Sequence, residues 1–134
     1  MSFSSQVSAF KKKALENATR IGRQSAFDLY SAITISTPVD TGLLRNNWFI
    51  TLDIPTSVIS GNDDEGAYAG IAEEMRQKLE AFKFGTTIFI TNNLPYATRI
   101  EFDGWSWRKP EGMVRINTIR WASIVSNNVR KFAK

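Results

Sequence analysis

Apolar residues fall at steps of three and four from Phe3 to Ala32: Phe3, Val7, Phe10, Ala14, Ala18, Ile21, Ser25, Leu29 and Ala32. That spacing predicts one continuous apolar stripe on an α-helix over residues 3–37, with Lys11, Lys12, Lys13, Arg20, Arg23 and Gln24 mostly off it. Pro38 ends the segment and pushes Thr37 towards extended backbone. Such a stripe exceeds what one helix of a domain this size normally needs. Either the helix bends near Gly22, or residues 1–37 project and pack on a neighbouring subunit.

Beyond Pro38 the period changes. Pro38-Val39-Asp40-Thr41-Gly42 is a turn cluster in which Asp40 or Thr41 caps a short helical turn through Leu43-Leu44-Arg45. Residues 48–54 alternate as a strand, with Trp48, Ile50, Leu52 and Ile54 on one face and Pro55 as the stop. A polar loop with an acidic cluster follows. Ile71, Met75, Leu79 and Phe82 mark a second helix over residues 68–83, with Gly85 at its C-terminal end. Residues 86–92 form the clearest strand, turned by Asn92-Asn93-Leu94-Pro95. Residues 96–102 read as a short helix. Residues 111–132 read as the last helix, with Val114, Trp121, Val125, Asn128 and Phe132 on its stripe. Strands interleaved with helices predict a single α+β domain over residues 1–134: a long N-terminal helix, a small, mostly antiparallel sheet, and a second helix and a C-terminal helix packed on it.

Composition narrows the chemistry. The chain has 134 residues, 43% of them hydrophobic and 22% charged, which suits one globular core. It contains neither Cys nor His. Disulfides, thiolate sites, the Ser–His–Asp triad and the commonest zinc ligands are therefore excluded. No cofactor site is expected. No Walker or dinucleotide-binding spacing occurs. A small enzyme working through carboxylates ranks last among the functions considered. The net charge of +4 is mild and permits contact with nucleic acid or an acidic surface without requiring it. Residues 1–6 lack the features of a signal peptide, and no apolar run is long enough to span a membrane, so the expectation is a soluble intracellular protein without membrane contact.

Three clusters merit weighing. Asp63-Asp64-Glu65 lies in a Gly-flanked loop before a helix, where carboxylates complement the helix dipole; its spacing does not suit a cation loop. Lys11, Lys12 and Lys13, with Arg20 and Arg23, are candidate contacts to DNA or an acidic partner, against the plainer reading of a solvated helix face. Trp105, Trp107, Arg108 and Lys109 are interface candidates, because two indoles beside two cations match the residue types enriched at binding hot spots. A lid over the core and base stacking on single-stranded nucleic acid are the alternatives there.

Two stretches carry a resemblance. One is Thr37-Pro38-Val39-Asp40-Thr41-Gly42-Leu43-Leu44-Arg45-Asn46-Asn47-Trp48, after a long amphipathic helix. The other runs from Ile90 through Asn93, Pro95, Tyr96 and Glu101 to Phe102, followed by Gly104 and then Pro110-Glu111-Gly112-Met113-Val114-Arg115. Together they resemble the neck proteins of tailed phages, variously called head–tail joining, tail completion or minor tail proteins. The resemblance implies a non-enzymatic virion protein, assembled in the host cytoplasm. It implies a homo-oligomeric ring, a hexamer, in a tail completion or tail terminator role. Its neighbours would be tail tube and head connector proteins, with genomic DNA passing through the lumen. Two segments depart from the family's pattern: Trp105 to Lys109, where relatives are richer in Gly and Ser, and the acidic loop at 60–66. The motif residues Asp40, Thr41, Gly42, Asn93, Pro95, Tyr96 and Glu101 read as turns that any such fold needs, with Tyr96 and Glu101 near the sheet end where a ring neighbour docks. A small basic nucleic-acid-binding module is the alternative function.

Overall fold

In a computed structural model of the chain, residues 2–39, 41–102 and 112–132 are described. The fold is α+β. Helix α1 spans Phe3–Ser36 without interruption. Its N-cap is Ser2, whose hydroxyl accepts from the Ser5 amide at 3.2 Å. The helix runs through Gly22 without a break. The missing side chain there serves packing, since a Cβ would stand 2.8 Å from the Phe82 ring. At the far end Thr37, in extended geometry before Pro38, stops the helix.

After a turn comes the short helix α2 (Leu43–Asn46), then strand β1 (Trp48–Leu52). Helix α3 (Tyr68–Lys78) is flanked by 3₁₀ turns at Glu65–Ala67 and Leu79–Ala81. The predicted helix over 68–83 therefore tightens and ends before Phe82. Strand β2 (Ile88–Asn92) pairs antiparallel with β1, Ile50 opposite Ile90, as a two-stranded sheet. Helices α4 (Ala97–Phe102), α5 (Arg115–Thr118) and α6 (Trp121–Phe132) complete the chain.

Two expectations need correction here. The first strand stops at Leu52, not at Pro55. Asp53 takes a positive φ of 66°, its amide donates to the Thr87 carbonyl, and Ile54 is left 75% exposed instead of joining the core face. The last helix is broken: α5 closes at Thr118, and Ile119 and Arg120 separate it from α6.

The core is built where α1, α3 and the sheet meet. Tyr30, Ile33, Ile50, Met75, Leu79 and Met113 are fully covered, with Trp48, Leu94, Ala97 and Ile100 around them. On α1 the covered face is broader than the predicted stripe. Ser25 belongs to it, but Ala26, Tyr30, Ile33 and Thr34 do most of the packing, while Leu29 and Ala32 are only half-buried. The stripe itself meets α6, whose Asn128 amide donates to Ser25 Oγ at 3.1 Å and Asp28 Oδ2 at 2.9 Å. Among the described residues no helix is long and apolar enough to cross a membrane.

Candidate interaction surface

The first motif is a closed set of internal bonds. Its two ends meet: the Trp48 indole donates to Thr37 Oγ1 at 2.9 Å, and that hydroxyl donates to the Ile33 carbonyl at 2.8 Å. Both side chains are buried. Arg45 donates to the Thr34 carbonyl and lies over the Tyr68 ring. Gly42 has a φ of +108°, and a Cβ there would stand 2.9 Å from the Glu65 backbone. Gly42, not Thr41, is the N-cap of α2, in a left-handed conformation and with no side-chain cap; Thr41 stands one residue earlier, its Oγ1 accepting from the Leu43 amide. Asp40, the other predicted cap, lies outside the described residues.

Asparagines then fasten the long loop after β1. Asn46 donates to the Asn62 and Asp64 carbonyls, and Asn47 exchanges bonds with both backbone groups of Ser60. Asn93 donates to the Thr56 and Val58 carbonyls. Six backbone groups between 56 and 64 are thus held by buried or half-buried amides, which fixes the loop without any regular structure of its own. Asp64 accepts from the Gly66 amide and starts the 3₁₀ turn before α3, the dipole role expected for this cluster. Asp63 and Glu65 stay exposed.

The second motif closes on Glu101. Its carboxylate accepts from the amides of Met113 at 2.5 Å, Val114 at 2.8 Å and Arg115 at 2.8 Å, and from Arg115 Nε at 3.1 Å. The Arg115 guanidinium also donates to the Glu101 carbonyl. Gly112, at φ +87°, lets the chain pass; a Cβ would meet the Glu101 carboxylate at 2.8 Å. Burial alone would raise the Glu101 pKa, but the three amides and the guanidinium together outweigh it and hold the carboxyl below the usual range. Glu101 is buried, so it cannot meet a neighbour at the sheet end as expected; it joins the stems on either side of residues 103–111. Tyr96 packs half-buried against the core, and Pro95 is exposed in the turn before α4. The interface candidates Trp105, Trp107, Arg108 and Lys109 lie outside the described residues.

The basic candidates separate into two kinds. Arg23 donates to the carbonyls of Leu79, Glu80 and Phe82, so its guanidinium caps the end of the turn after α3. Lys11, Lys12, Lys13 and Arg20 are exposed. Lys12, Lys13 and Arg20 share an open groove with Lys131 and Phe132 at the end of α6, Glu16 among them.

The remaining surface feature is apolar. Phe3 is 81% exposed and Phe10 75%, with Val7 and Leu15 about half exposed, so the apolar face of the first third of α1 is largely uncovered by the described residues of its own chain. No known protein family, curated protein or solved structure matches this chain.

Several residues that hold the surface together escaped the sequence reading. Asn46, Asn47 and Arg115 stand inside the motif stretches without an assigned role, and Asn117 lies outside them. The available signal was polar side chains beside apolar runs, where a buried amide must find partners. Asn117 is such a case, donating to Ser36 Oγ and to the Met113 carbonyl.

Proposed function

We propose that this chain is a non-catalytic structural protein of a tailed-phage virion, forming a ring at the head–tail junction in a tail completion or tail terminator role. In this reading the ring is a hexamer, its neighbours are tail tube and head connector proteins, and DNA passes through its lumen. The observation that carries the reading is the uncovered apolar face of α1 at Phe3, Val7 and Phe10. A helix whose apolar stripe outruns the body it packs on is suited to finish its burial against another subunit. The interior use of both motifs supports the same role, since their polar groups hold a rigid scaffold rather than a reaction site.

The groove lined by Lys12, Lys13, Arg20 and Lys131 favours a second reading, a module that binds nucleic acid phosphates. Native mass spectrometry of the purified chain, with and without DNA at two salt concentrations, separates the two. A closed ring without salt-dependent DNA affinity supports the neck role. A monomer whose DNA affinity falls steeply with salt replaces it with the second reading.

A further inference from the structure

Two patches on this chain complement each other and cannot meet within it. The first is the N-terminal arm of α1. Residues 3–15 hold three lysines and no carboxylate. Phe3, Val7 and Phe10 form an exposed apolar line, and Lys11 and Lys13 flank it, each roughly 80° to either side at 100° per residue. Lys12 points to the opposite face. The second patch is the loop from Asp53 to Gly66, which holds four carboxylates and no cation. It exposes Ile54 at 75%, Val58 and Ile59 beside the exposed Asp63 and Glu65. The asparagine bonds of Asn46, Asn47 and Asn93 hold this loop in place, so its surface is preformed.

Distance decides how the patches are used. The Asp63–Glu65 end of the acidic loop lies against Gly42, just beyond the C-terminal end of α1. The basic arm, Phe3 to Lys13, is the other part of the same 34-residue helix, about 35–50 Å from its C-terminal end at 1.5 Å per residue. Contact between them must therefore be intermolecular. The surfaces are different, so the contact is head-to-tail, the kind that closes into a ring when the rotation allows.

We infer that the apolar, Lys-flanked arm of α1 docks on the Ile54–Glu65 loop face of a second copy of this chain. This rests on the ring reading above and names the surfaces that make the ring. The apolar side chains supply burial. The lysines and carboxylates set orientation and exclude like-charged pairings.

A charge-swap experiment on the full chain tests it. One variant carries Lys11→Glu and Lys13→Glu; the other carries Asp63→Lys and Glu65→Lys. Asp64 is left alone because it caps the turn before α3. Each variant should fold, as judged by circular dichroism, and assemble about tenfold or more weakly than the unaltered chain. Mixed one to one they should reassemble, because each supplies the partner that the other lacks. Lys12→Glu, on the opposite face, should leave assembly unchanged. Phe10→Ser, which alters no charge, should weaken assembly on its own. If both charge variants form the original ring, or if the mixture stays dissociated, this contact is wrong while the ring reading survives. If the unaltered chain remains monomeric at every concentration tried, both are wrong.

Discussion

The two ends of α1 carry similar sequence and have different fates. From Ser25 to Thr34 the helix is enclosed by α3, the sheet and α6, and Tyr30 and Ile33 lose essentially all contact with solvent. From Phe3 to Leu15 the apolar periodicity continues unchanged, yet two phenylalanines stand exposed. Periodicity states that a face should be covered; it does not state by what. Several polar groups at the covered end are partnered, though the buried Tyr30 hydroxyl is not: Asn128 bridges Ser25 and Asp28, and Thr34 shares a 2.5 Å hydrogen bond with Tyr68. Among the described residues the arm has no comparable set of side-chain bonds to the rest of the chain.

The largest expected effect breaks this comparison into its halves. Ile33→Ala should cost about 3–4 kcal/mol by creating a cavity among Tyr30, Ile50 and their neighbours. Phe10→Ala should change monomer stability by no more than about 0.5 kcal/mol. Denaturant melts of the two variants read the difference. Equal losses would mean that the arm is covered within its own chain.

Next comes the turn that leads from the covered end to the loop face. Gly42→Val combines a positive φ with a contact on the Glu65 backbone and should cost about 3 kcal/mol. Asp63→Ala should be near neutral in the monomer, within about 0.5 kcal/mol. Thermal melts decide, and a larger loss at Asp63 would give that carboxylate a structural role.

The smallest effect is the most specific. Glu101→Gln removes the charge that holds the amides of residues 113–115 and should cost about 2 kcal/mol at neutral pH. Because the folded pKa lies below the ordinary 4.5, the stability from ionised Glu101 is fully present above that value. It is lost as pH falls through the depressed folded pKa. The gap between wild type and Glu101→Gln should therefore be constant near neutrality and close in acid. A gap unchanged down to the lowest pH at which both fold would remove the carboxylate from this role.

Much of the fold was legible because local rules and burial agreed. The steps from Phe3 to Ala32, the alternation at Trp48–Leu52 and Ile88–Asn92, and the stripe Ile71, Met75, Leu79, Phe82 all signal elements that form. The failures lie where tertiary bonds overrode local preference. Asp53 ends its strand by pairing with Thr87, through its amide and through a carboxylate that accepts from the Thr87 amide, a contact 34 residues away. Ile119 and Arg120 interrupt a helix whose periodicity is continuous. Glu101 was identifiable as a motif residue but not as a buried anion, because its three amide donors come from beyond residue 111. The acidic loop, plain in composition, took its defined shape from asparagines on other elements.

The arm of α1 is proposed to be buried by another subunit. Deleting residues 1–12 and measuring mass in solution by sedimentation tests it most directly. The shortened chain should keep the helical circular dichroism and melting of its body, since the side chains of residues 2–12 are exposed, and should sediment as a monomer where the full chain forms a ring. A shortened chain that forms the same ring with the same stability would contradict it.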